Sequence, residues 1–236
     1  MEHRIADIQY CEYLFNQFYD IGSTESGGVT RLGYSKTEDR MHEMFAKLGS
    51  SLNLRSYQDE VGNTYVANSV DDGYYLIGSH LDSVIEGGRY DGVAGVIAGL
   101  MIMKWAAEDG LKLPIRVGAF RCEESSTFGC CTIGSGLITK ELYKQDIADL
   151  VSKEGETLES VFKRNGYSLY PAKISGLKQY LELHIEQGKV LEECQTSVGI
   201  VTTIAGPRRF NMYLRGMAEH SGATPMAMRY DALCAA

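Results

Sequence analysis

The chain has 236 residues, 44% hydrophobic and 23% charged, an ordinary balance for a globular protein with room for one large domain. Its formal net charge of −8 argues against nucleic acid or an anionic membrane surface as a partner and suits bound divalent cations. No apolar run reaches the ~20 residues needed to span a bilayer, and MEHRIADIQY lacks the uninterrupted apolar core of a signal peptide.

In chain order, Ile5, Ile8, Leu14, Phe15 and Phe18 recur at helical spacing and predict an amphipathic helix over 5–18. Residues 20–34, rich in Gly, Ser and Thr, read as a loop. Ser35 or Thr37 is placed to cap a helix that runs to about Leu48, with Gly49 as its stop. Strands are expected over 52–57 and 61–67, around a turn at Gly62 and Asn63. Another is expected over 74–77, a β-favouring run bounded by Gly73 and Gly78. His80 and Asp82 follow it, then Gly87 and Gly88. Asp91 is placed to cap a helix over 93–107 that is apolar nearly all round, as in a helix packed on a sheet.

Gly110 ends that helix, and a strand over 114–121 delivers Cys122, Glu123 and Glu124 at its end. Short helices and turns fill 125–178. Strands are expected over 180–185, with Glu186, Gln187 and Gly188 following, and over 198–204, before a break at Gly206 and Pro207. Strands alternating with helices predict an α/β fold with a mostly parallel sheet flanked by helices. His3 and His42 fall in predicted helices and read as surface residues. The six cysteines form no CxxC pair, which argues against a zinc knuckle and for a reduced, cytoplasmic protein. Cys122 reads as a small buried hydrophobe.

Three pairs carry the chemistry. His80 with Asp82, Glu123 with Glu124, and His184 with Glu186 each fall at or just past the end of a predicted strand. Ligands of open α/β sheets bind outside the carboxyl ends of the strands, so parallel strands would gather these groups along one edge. The bland alternatives are a satisfied surface loop with a helix N-cap for 80–91 and a solvated loop for the glutamates. Imidazole and carboxylate without thiolate suit Zn²⁺, Mn²⁺, Co²⁺ or Ni²⁺. Two neighbouring cations repel and need an anionic bridge, a part open to Asp91.

The segments GSHLDSVIEGGRYDGVAGV, FRCEESSTFG, LELHIEQG and GMAEHSGATPMAMRYDAL, in this order, resemble the M20-type metallo-aminoacylase/carboxypeptidase superfamily. Within it they are most similar to the N-carbamoyl-L-amino-acid hydrolase and allantoate amidohydrolase branch, over residues 31–236. The resemblance implies a zinc-aminopeptidase-like catalytic domain over 1–206 and the beginning of a smaller α+β lid and dimerisation domain over 207–236. It implies two divalent metal ions, Zn or Mn with Co or Ni as alternatives. His80 and His184 match ligands of the first, Glu124 a ligand of the second, and Asp91 the carboxylate bridging both. Asp82 matches the carboxylate that orients His80, and Glu123 the general base. Gln187 matches a position near the substrate, and His220 a residue that stabilises the oxyanion. His184 within HIEQG points to the carbamoylase branch, because peptidase branches usually have an acidic residue there.

The activity so implied is hydrolysis of a linear amide or ureido bond in a small molecule, an N-carbamoyl-L-amino acid or alternatively allantoate, by a homodimer joined through the lid. Family members are longer, and the last histidine ligand of the second metal comes from the part beyond. The resemblance therefore leads us to expect an N-terminal portion that binds one metal or none and is close to inactive, with residues after Pro207 weakly anchored. A non-catalytic portion that binds a metal or a partner is the competing expectation.

Overall fold

A five-stranded sheet organises the first of two units, Met1–Gln187 and Gly188–Ala236, into which a computed structural model divides the chain. The structure describes residues 2–206 and 210–236, with side chains from residue 5 onward; the side chain of His3, and Pro207, lie outside what is described. The strands are β1 (Arg55–Gln58), β2 (Thr64–Ala67), β3 (Tyr74–His80), β4 (Ile115–Phe120) and β5 (Leu177–Leu181), in the order β1-β2-β4-β3-β5.

The sheet is mixed, which corrects the mostly parallel expectation. β2 runs antiparallel to both β1 and β4, while β4, β3 and β5 are mutually parallel. The connections explain this. β1 and β2 are joined by a tight turn in which the Asp59 carboxylate accepts the amides of Val61 and Asn63 at 3.0 Å, and a short connection can only join antiparallel neighbours. β3 and β4 are joined through a helix, as parallel neighbours require.

Alternate strand residues feed two cores. Val66, Ile77, Val117 and Ala119 pack with α1 (Glu2–Tyr19), α2 (Lys36–Ser51) and α3 (Val93–Glu108) on one face. Tyr65, Leu76 and Phe120 pack with α4 (Ile133–Thr139), α5 (Lys144–Ile147) and α6 (Leu158–Asn165) on the other. In α1 only the later part of the predicted stripe is used: Leu14 and Phe18 are buried, whereas Ile5 and Ile8 are exposed. The buried Arg31 guanidinium donates to the carbonyls of Phe18 at 2.9 Å and Ile21 at 2.8 Å, setting a positive charge at the C-terminal end of α1.

Three local expectations are corrected. α2 is capped by the Ser35 hydroxyl, but it passes through Gly49, which is needed for close packing: a Cβ there would stand 2.3 Å from Val66 Cγ1. His42 is buried, not on the surface, with Nδ1 2.8 Å from Thr64 Oγ1. α3 is capped by Gly92, with φ +65° and ψ −48°, and not by the Asp91 side chain. A side chain at Gly92 would come within 2.4 Å of the His80 carbonyl oxygen, so glycine is what lets α3 start against the end of β3.

The second unit holds two short helices, α7 (Val190–Glu193) and α8 (Ala232–Ala235), and a 3₁₀ turn at Met226–Met228. Its described residues contain no strand, so the strand expected over 198–204 does not form; Val198, Ile200, Val201 and Ile204 are exposed and have no ladder to join. Among the described residues, no helix is long and apolar enough to cross a membrane.

Candidate metal centre

The parallel register carries the site. His80 is the last residue of β3 and pairs with Phe120 at the end of β4, so the segments 81–82 and 121–124 leave the sheet side by side. Leu181 ends β5 level with Ile77. His184, three residues past Leu181, thereby comes level with His80, three past Ile77, although it lies in the loop and not in the expected strand.

These chain ends bring His80, Asp91 and His184 together, with one potential ligand atom from each inside a 4.8 Å cluster. His184 Nε2 is 3.2 Å and His80 Nε2 is 3.9 Å from Asp91 Oδ1. Glu123 Oε2 stands 3.8 Å from His80 Nε2. Glu124 follows on the same turn and is not one of the three clustered groups. Glu186 is exposed and likewise outside the cluster. Gln187 was expected near a substrate; its Nε2 donates to Asp91 Oδ2 at 2.9 Å, which fixes that carboxylate. His220 belongs to the second unit, where its Nδ1 accepts the amides of Gly222 and Ala223 at 3.1 Å. A neutral ring with that acceptor carries its proton on Nε2.

The hydrogen bonds set the tautomers of the clustered rings. His184 Nδ1 can only donate to the Ile185 carbonyl, 2.8 Å away. His80 Nδ1 faces two acceptors, the Asp82 carbonyl at 3.1 Å and Asp82 Oδ1 at 3.3 Å. In each neutral ring Nε2 is then an unprotonated lone pair. Both lone pairs confront Asp91 Oδ1, a buried oxygen that accepts no hydrogen bond. Acceptors facing acceptors need a cation or a proton between them. The donor set of two imidazoles and a carboxylate fits a divalent transition metal such as zinc.

Without an ion, a proton takes that place. Burial alone would lower the His80 pKa, but the hydrogen bond and charge of Asp82, followed by Glu123 and Asp91, outweigh it and raise the value to about 9. Burial pushes the Glu123 carboxyl up, against the opposing influence of His80. Glu124 is pushed up to about 6, first by burial, with His80 opposing and Glu123, Asp82 and Asp91 adding to the rise.

Asp82, fully buried, has a second task that the sequence did not disclose. Its Oδ1 and Oδ2 accept the amides of Glu123 and Glu124 at 3.0 and 2.9 Å, so one carboxylate ties the β3 end to the glutamate turn. Sequence reasoning also missed Glu38, Asn63 and Arg121, which surround the same turn from inside the core. Only Arg121 carried a signal, a charge at the end of an apolar run; Glu38 sits in a charged stretch that reads as the start of a helix, and Asn63 in a turn. All six cysteines are free.

No family model matches the chain. It is 38% identical over 229 residues to an N-carbamoyl-L-amino acid amidohydrolase of Geobacillus stearothermophilus, covering 92% of this chain and 55% of the relative. It is 36% identical over 225 residues to an allantoate amidohydrolase of Bacillus subtilis, covering 91% of this chain and 54% of the relative. Its fold matches the crystal structure of a hydantoinase/carbamoylase family amidase from Burkholderia ambifaria with a TM-score of 0.75 and 31% identity, covering 96% of this chain and 57% of the other. The chain is thus similar along nearly all of its length to amidohydrolases named for N-carbamoyl-L-amino acids and for allantoate, and it spans about half the length of each.

Proposed function

We propose that the protein is a metal-dependent amidohydrolase that cleaves a linear C–N bond, first of N-carbamoyl-L-amino acids and alternatively of allantoate. The observation that carries this reading is the convergence of two imidazole lone pairs on one unsatisfied buried carboxylate oxygen, with a further carboxylate, Glu123, beside them. Its support from outside is the similarity to amidohydrolases of both kinds.

His80, Asp91 and His184 would hold a divalent cation, and Glu124 with Asp91 would hold a second. Such ions polarise a carbonyl and make water a stronger acid, which a poorly electrophilic ureido group needs. The chain's own residues do the rest. Glu123, close to the cluster but outside it, takes the proton of the attacking water and returns it to the leaving nitrogen. Its raised pKa brings a carboxylate nearer the range in which both transfers are easy. Asp82 holds His80 with Nε2 free, and Gln187 holds Asp91. His220, with its proton on Nε2, is assigned to the oxyanion of the tetrahedral intermediate. On the same reading the segment from 207 onward begins a smaller lid through which two copies of a cytoplasmic enzyme pair.

The test is ammonia release from a panel of N-carbamoyl-L-amino acids and allantoate by the metal-loaded protein. Cleavage of N-acyl amino acids or dipeptides, with every ureido compound untouched, would contradict the proposal.

Two further results are expected at the metal. Asp82→Asn should weaken metal affinity roughly 10- to 100-fold, the range for groups that orient a ligand. Unchanged affinity in a zinc titration would remove Asp82 from that role. Metal affinity should also rise with pH. Below about 9 the metal-free His80 is protonated, so binding must expel that proton. The affinity should climb by up to about tenfold per pH unit between pH 6 and 8. Calorimetric titration in buffers of different ionisation heat reads the released proton directly, and a pH-independent affinity would contradict the assignment.

A further inference from the structure

The turn that carries Glu123 and Glu124 is held at four successive amides by side-chain oxygens from elsewhere in the fold. Asn63 Oδ1 accepts the amide of Arg121 at 2.8 Å, and Glu38 Oε1 accepts that of Cys122 at 2.8 Å. The two oxygens of Asp82 accept those of Glu123 and Glu124. The carbonyls are held as well: those of Arg121, Cys122 and Glu123 accept the amides of Gly134, Ile133 and Thr132 at 3.0, 3.0 and 2.7 Å. Cys122 itself has φ +50°, a conformation that a residue with a side chain keeps only where its surroundings impose it.

Glu38 is the member of this cradle that the chemistry does not explain. It is fully buried, lies 84 residues before Cys122 in the chain, and is outside the metal cluster. Its Oε2 accepts the Tyr34 amide and, at 3.0 Å, the Arg121 guanidinium. Arg121 in turn donates to Asp39 at 2.7 Å and to the Gly62 carbonyl at 3.0 Å. The imidazole of His42 also faces this carboxylate, with Nε2 3.9 Å from Glu38 Oε1. His42 Nδ1 shares a hydrogen bond of 2.8 Å with Thr64 Oγ1, which also accepts from Gln58, so the ring is held against Glu38 from the far side. A buried ion pair returns little net stability over a packed apolar one. What a carboxylate surrounded by donors does deliver is a fixed geometry.

We propose that Glu38 is a positioning residue for the glutamate pair: bonded to the Cys122 amide and the Arg121 guanidinium, it imposes the left-handed turn at Cys122 that sets Glu123 against His80. The kinetic consequence rests on the amidohydrolase reading; the structural one does not.

The test is site-resolved amide hydrogen exchange on the metal-free chain, wild type against Glu38→Gln. Glutamine keeps one oxygen but turns a donor toward other donors. The amides of Glu123 and Glu124 should exchange about tenfold faster or more, although their own acceptor, Asp82, is unaltered, while those of β3 and α3 stay as they were. Faster exchange confined to Cys122 would overturn the proposal. If Glu38→Gln does not fold, the wild type decides. The amides of Cys122, Glu123 and Glu124 should then open as one unit, with protection equal within a few-fold; independent, much faster exchange of the two glutamates overturns the idea. In the active enzyme, Glu38→Gln should lower kcat about tenfold or more with KM unchanged and the metal at His80, Asp91 and His184 retained, and a wild-type kcat counts against it. If no ureido compound is turned over by the wild type, the functional reading fails while the exchange result still decides the role of Glu38.

Discussion

In the active enzyme, Glu123→Gln is expected to cut turnover by ~100- to 10,000-fold, the usual cost of losing a general base, while metal content stays nearly intact. The reason is positional. Glu123 Oε2 lies 3.8 Å from His80 Nε2, near enough to act on a water at the cluster, yet it is not among the three groups that meet there. Glutamine fills the same space and accepts no proton. Kinetics with metal analysis on the same sample check this. If Glu123→Gln strips the metal while Glu124→Gln leaves it, the roles of the two glutamates are exchanged.

The second large effect is expected at Asp91. Its Oδ1 is the point on which both imidazoles converge, and its Oδ2 is already occupied by Gln187. Asp91→Asn removes the negative charge that, together with the two lone pairs, draws a cation between them and, where its nitrogen replaces Oδ1, turns a donor into the ligand position. The remaining two imidazoles make an incomplete tetrahedral site. Metal binding should fall by well over the ~10- to 100-fold expected for Asp82→Asn. Both variants should keep their fold, because neither side chain forms part of the two apolar cores. A zinc titration of Asp91→Asn that matches the wild type would remove Asp91 from the centre.

β3 and β4 were legible because each is a short β-favouring run that ends at or just before chemistry-bearing residues. Their parallel pairing followed from helical connections, and it places His80 and the Glu123 turn as the sequence suggests. What local pattern misled on was decided by contacts distant in sequence. Gly49 looks like a helix stop, but its neighbour is Val66 across the core. His42 looks exposed on a polar stretch, but Thr64 and Glu38 close over it. Asp91 looks like a cap, but Gly92 takes the strained position and releases the carboxylate for the site. The His184 strand ends early because β5 is paired only as far as Leu181. The antiparallel edge escaped because the order β1-β2-β4 depends on which strand β2 finds, and nothing within β2 encodes that. Asp82 was readable as a partner of His80, two residues away, but not as the acceptor of amides more than 40 residues on.

The central claim is that His80, Asp91 and His184 form one ready-made divalent-metal site. The most direct measurement is metal stoichiometry: elemental analysis of the chain after loading with zinc and removal of excess, for the wild type and for His80→Ala. The account predicts about one tightly held zinc per chain in the wild type and none in His80→Ala. A wild type that holds no zinc, or a His80→Ala variant that holds as much as the wild type, would contradict it.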